Sequence, residues 1–138
     1  MSQQWFVSQR FVSKRFGRSL MGAGALTRLA YGAGALFAPD AMCAHGLAPD
    51  TRGHADGRMD FRGFGGLHVS IAVLTLRAAL QNRNTRLLLG LSLGCELSDL
   101  TATLLELRAR GRADPTVRAS LLLATVGLAT WTTALRAL

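Results

Sequence analysis

Lysine is almost absent from this chain. Fifteen of its 16 basic residues are arginine, and Lys14 is the single exception. Acid is scarce too: 8 residues are Asp or Glu, none of them before Asp40, and the net charge is +8. Charged residues make up 17% of the 138, against about 25% in ordinary soluble domains. With 49% hydrophobic residues the chain has ample apolar surface to bury, which excludes disorder. Two cysteines, Cys43 and Cys95, exclude a disulfide scaffold, and no C-x-x-C pair is present. Cys43, His45, His54 and Asp56 match no strong zinc spacing, so no metal is expected. GFGG at 63–66 follows no strand and is no phosphate loop, so no nucleotide cofactor is expected.

The basic surplus does not point to nucleic acid. Its arginines cluster between apolar segments rather than along one polar face, a spacing that suits anionic lipid headgroups. Residues 4–18 (QWFVSQRFVSKRFGR) read as a short basic amphipathic helix. At 100° per residue Trp5, Val12 and Phe16 share a face, while Arg10, Lys14 and Arg18 repeat every four residues opposite. This predicts an interfacial segment over 1–18, with Trp5, Arg10, Lys14 and Phe16 at the membrane surface. A cleaved signal peptide fits poorly, because the apolar stretch after Arg18 is interrupted by Arg28 and runs on to Pro39.

Residues 19–138 read as a membrane domain. Four apolar segments fall at about 19–38, 63–80, 87–107 and 119–135. Twenty helical residues reach about 30 Å, the thickness of the hydrocarbon core. Pro39 stops the first segment, 40–62 read as the one long polar loop, and Pro115 is placed to start the last helix. The fold expected is all-α: an integral membrane four-helix bundle with a short N-terminal amphipathic helix. A soluble bundle needs a polar face on each helix, and 119–135 offers only Ser120 and scattered Thr. The cations before the first segment favour cytoplasmic termini, in a bacterial inner membrane.

Ionisable residues inside these segments form the candidate site. Gly24, Arg28 and Gly32 share an i, i+4, i+8 row, and small residues there let a neighbouring helix come close. An Arg at that depth should face inward and find an anion. Ser92, Glu96, Asp99, Thr103 and Glu106 recur at spacings of four and three, along one helix face. Two bare carboxylates at 96 and 99 repel, so Arg28 would neutralise one, and the other would be protonated or pair with His68. His68 heads its own row with Gly65, Ala72 and Thr75. The expectation is a buried polar cluster of Arg28, His68, Glu96 and Asp99, with Glu106 solvated and Cys95 a packing residue.

RLAYGAGALFAPDAM at 28–42, RGFGGLHVSIAVL at 62–74 and ELSDL at 96–100, with the basic start, resemble the DoxX-like small membrane proteins over about residues 17–136. The resemblance implies four spans, and weakly a subunit of a quinone-linked oxidoreductase. It carries over no catalytic residue.

Two functions fit. One is an accessory or structural subunit, or a homo-oligomer, whose cluster fixes helix register; its partners are the bilayer and a protein within it. The other is a membrane-embedded enzyme or proton-coupled carrier for a quinone- or lipid-like substrate. In that case Glu96 and Asp99 would be the acid/base pair, His68 a proton relay and Arg28 their electrostatic partner. Space discriminates them: an enzyme or carrier needs a cavity at the cluster, and a register lock needs none.

Overall fold

The structure, a computed structural model, describes residues 3–47 and 55–138, with side chains over 13–47 and 56–138. Five helices follow one another: α1 (Gln3–Phe37), α2 (Pro39–Ala44), α3 (Ala55–Gln81), α4 (Thr85–Arg110) and α5 (Pro115–Ala137). No strand interrupts them among the described residues. α1 packs most extensively on α3, α4 on α5, and α1 on α5, while α3 and α4 touch less.

The helix ends follow from local chemistry. Pro39 cannot continue α1, and Ala38 before it leaves helical geometry at φ −135° and ψ 51°. Asn82 and Asn84 take left-handed φ of 53° and 55° in the turn between α3 and α4, a conformation asparagine tolerates better than most residues. α4 closes on Gly111 at φ 64°, whose N–H donates to Leu107 O at 3.0 Å. α5 opens with Pro115 behind an N-cap, where Asp114 Oδ1 accepts from Val117 N at 2.9 Å.

That cap gives the first prediction. The Val117 N–H, and after it the Arg110 guanidinium, hold the Asp114 carboxyl below its ordinary value. A lowered folded-state pKa stabilises the fold above the unfolded value of about 4. The contribution is lost as pH falls through the lowered value. Asp114→Ala should therefore be less stable than the parent at neutral pH and should lose less on acidification. Thermal unfolding followed by circular dichroism at neutral and acid pH reads this. Parallel pH profiles would show that the cap contributes nothing.

Two apolar clusters sit at opposite ends of the molecule. The larger gathers Met21, Ala25, Ala78, Leu89, Trp131 and Ala134, from α1, α3, α4 and α5. The smaller gathers Ala35, Met42 and Phe61, with Tyr31 and Phe64 against it, where α2 folds over α1 and α3. At the first end, Ser13 Oγ donates to Ala137 O at 3.0 Å, so the start of the described side chains lies beside the C-terminus.

The all-α class stands, but the four-helix transmembrane bundle and its separate amphipathic helix do not. The described residues form five helices, and α1 runs 35 residues without a break at residue 18. Among the described residues two helices are long and apolar enough to cross a membrane, Asp56–Gln81 and Thr85–Arg110. α1 falls short because Arg28 and the four glycines around it dilute its apolar stretch. In α5 threonines thin an uncharged stretch bounded by Arg118 and Arg136. The polar loop over 40–62 is also shorter than expected, because α2 and the first turns of α3 occupy part of it. Lys14 and Phe16 are exposed, whereas the side chains of Trp5 and Arg10 lie outside the described residues.

Candidate functional site

Apolar side chains cover much of the outside, and polar ones share the interior with the apolar clusters. On α3, α4 and α5 large leucines face outward: Leu80 is 78% exposed, Leu122 65%, Leu87 64% and Leu105 64%. Buried inside are Arg28, His68, Thr75, Ser92 and Thr103. The rows read from the sequence account for this. Gly65, His68, Ala72 and Thr75 are all buried on one face of α3, and Ser92 and Thr103 on one face of α4.

Arg28 is 5% exposed. Its Nη2 donates to Glu96 Oε1 in a buried ion pair, and also to Ser92 O at 3.3 Å. Glu96 Oε1 accepts a further bond from Trp131 Nε1 at 3.1 Å. The Arg28 guanidinium carbon lies 5.3 Å from the Trp131 ring centroid, a cation–π contact. Three helices thus meet at one carboxylate oxygen.

Glycines make the approach possible. A Cβ at Gly24 would stand 2.6 Å from Trp131 Cη2, and one at Gly32 would stand 2.8 Å from Gly65 O. The row around Arg28 therefore admits α5 on one side and α3 on the other. Gly127 on α5 leaves the space that the Glu96 carboxylate occupies.

Beside this pair lies a cavity of about 430 Å³, walled by all four long helices; Arg28, Tyr31, His68, Glu96, Asp99 and Trp131 line it. The volume is within the range of small-molecule sites, roughly 300–1,000 Å³. Thr27, Ala102 and Val126 also line it and are exposed, so it reaches the surface.

The four predicted cluster residues share this space without all touching. Arg28 and Glu96 pair. Asp99 keeps its carboxylate free of any hydrogen bond or ion pair among the described residues. His68 makes no ion pair with either carboxylate. Its ring is held by aromatic neighbours, with Phe64 at 4.2 Å and Tyr31 at 5.6 Å between centroids. Arg28 Nη1 is buried without a partner. Glu106 is exposed and pairs with Arg110 at 2.5 Å.

The sequence did not single out Trp131, Gly127 or Tyr31. A signal for Trp131 was present: an indole N–H in an apolar helix needs an acceptor when buried, and Glu96 was an acid available on another helix. No disulfide joins Cys43 and Cys95. Among the described residues no group of three or more His, Cys, Asp or Glu gathers to hold a metal. His54, one of the loop residues weighed for that role, lies outside them.

The site defines a small all-α protein with a buried Arg–Glu pair, weakly apolar long helices and a cavity between them that opens to the surface. No protein-family model, curated protein or solved structure matches the chain. Nothing in these comparisons ties it to the DoxX-like proteins.

Proposed function

We propose that this is a multi-pass membrane protein whose cavity holds a small lipid-soluble molecule, as a carrier or as an enzyme would. The cavity beside the Arg28–Glu96 pair is the observation that carries the reading. A pair that served only to lock helix register would leave no such space. The leucine exterior supports the setting, since α3 and α4 direct most of their apolar surface outward. In hydrocarbon an Arg facing lipid costs about 2.5–3.5 kcal/mol on insertion scales, and Arg28 avoids this by facing Glu96. Residue 13 and the C-terminus share one end of the molecule, which supports termini on a single side, the cytoplasmic one by the cations before residue 19.

The test has two parts. The protein should stay with the membrane fraction through alkaline carbonate washing. Mild-detergent purification followed by organic extraction and mass spectrometry should recover an apolar small molecule. Ala102→Trp, which fills the cavity from an exposed lining position, should lose that molecule while keeping its helical signal. Release by carbonate, or a co-purifying set unchanged by Ala102→Trp, overturns the reading. Crosslinking in the same preparation tests the homo-oligomer reading, which one observation favours. Gly90 and Gly94, one turn apart on α4, have no atom within 4 Å of a Cβ built on either, and such a pair suits close approach of another helix.

A further inference from the structure

We infer that the molecule this cavity takes is an organic cation, an ammonium compound with an apolar body; the inference rests on the ligand-site reading above. The charge inventory of the wall decides the sign. α1 contributes Arg28, and α4 contributes Glu96 and Asp99. α3 contributes the His68 ring, engaged by Phe64 and Tyr31. α5 contributes hydroxyls and the Trp131 indole but no charge. Arg28 and Glu96 cancel in their pair. Asp99 is left over: a half-buried carboxylate on the wall that makes no ion pair or side-chain hydrogen bond among the described residues and senses Arg28 only at longer range.

An anion would meet that carboxylate, and would find Arg28 already committed to Glu96 and to Ser92 O. The remaining donor, Arg28 Nη1, is buried and unpartnered. It suits a neutral acceptor on the ligand, such as a hydroxyl or carbonyl oxygen, and is no counterpart to a full negative charge already opposed by two carboxylates. The aromatic surfaces complete the case. Phe61 and Phe64 stack at 6.1 Å, Tyr31 stands edge-on to Phe64 at 6.3 Å, and Trp131 already carries a guanidinium on its face. π-faces beside one unpaired carboxylate attract a desolvated ammonium group by its charge and its methyl or methylene surface together.

The experiment uses the full chain in mild detergent with Trp5→Phe, which leaves Trp131, on the cavity wall, as the sole tryptophan, excited at 295 nm, where Tyr31 hardly absorbs. Three probes are titrated: benzyltrimethylammonium, its uncharged isostere neopentylbenzene, and benzenesulfonate. The cation should quench or shift Trp131 emission with an affinity at least about tenfold above that of the isostere, the low end for a desolvated charge pair. Benzenesulfonate should not bind. Asp99→Asn should abolish the preference for the cation and leave binding of the isostere unchanged, which also shows that the variant is folded.

Equal or tighter binding of the isostere or of the sulfonate overturns the inference and leaves the ligand-site reading standing. So does an unchanged cation affinity in Asp99→Asn. The comparison of probes on the parent protein needs no substitution at Asp99, so a variant that failed to fold would not spare the inference. If none of the three probes changes Trp131 emission, the inference and the ligand-site reading fail together.

Discussion

Arg28→Ala is expected to be the most destabilising single substitution in the cluster, and Arg28→Ala combined with Glu96→Gln should be less damaging than Arg28→Ala alone. The reason lies in what each change strands. With Arg28 removed, Glu96 is a carboxylate inside the molecule, with the Trp131 N–H as its remaining donor. Breaking a buried pair from one side costs about 3–5 kcal/mol, mostly for the charge left behind. Glu96→Gln removes that charge and keeps a carbonyl oxygen for Trp131. The double variant then loses the packing of the Arg28 stem and its contact with the indole, but harbours no isolated charge. Arg28→Lys should rescue poorly. One guanidinium nitrogen serves both Ser92 O and Glu96 here while the planar group lies against Trp131, and a point-charge ammonium does not reproduce that stacked arrangement. Unfolding in detergent of the parent, Arg28→Ala, Glu96→Gln and the double variant, followed by helical circular dichroism, gives the coupling directly, with Arg28→Lys measured beside them. Strictly additive losses would mean that the two side chains do not sense each other.

The parts of the site legible in the sequence are those with a short-range periodic signature. Gly24, Arg28 and Gly32 lie on one row, as do Gly65, His68, Ala72 and Thr75, and helical spacing alone places each set on one face. Insertion cost alone turns Arg28 inward, and the third of the four apolar segments, now α4, supplies the carboxylates. The partner choice between Glu96 and Asp99 was not legible, because both lie on the same face within one turn. It is decided by Gly127 and Trp131, which are far away in sequence and leave room and a donor for Glu96 alone. The aromatic setting of His68 was hidden for a related reason. Its aromatic neighbours Tyr31 and Phe64 come from α1 and from one turn earlier in α3, and polar bookkeeping does not see rings. The membrane architecture was over-read. Apolar segments mark helices well, but the thermal and electrostatic cost of crossing depends on the whole window, and Arg28 and the α5 threonines weaken two of the four. The run-on of α1 through residue 18 was hidden because amphipathicity changes there while helix propensity does not.

Gly65 and Gly66 are neighbours on α3 and should respond to alanine in opposite directions. A Cβ at Gly65 would stand 2.7 Å from Gly32 O, 2.7 Å from Leu36 N and 2.9 Å from Ala35 Cβ. Two of those atoms are α1 backbone, which cannot yield by rotating a side chain. Gly65→Ala must therefore push α1 and α3 apart over their closest contact, and overpacking of this kind costs about 1–3 kcal/mol. At Gly66 nothing lies within 4 Å of the same built atom. There the substitution only removes the conformational freedom that glycine brings to an unfolded chain, and alanine should stabilise the helix by up to about 1 kcal/mol. The separation at Gly65 also reaches the site. Gly32 packs directly against the His68 backbone side of α3, and Tyr31 precedes it on α1, so a shifted seam would widen the aromatic wall of the cavity. Thermal unfolding of the two single variants reads the sign at each position. If Gly66→Ala is the harmful one, α3 is rotated from the orientation described and His68 does not face the cavity. Equal effects at the two positions would show that α1 and α3 do not meet at this glycine seam.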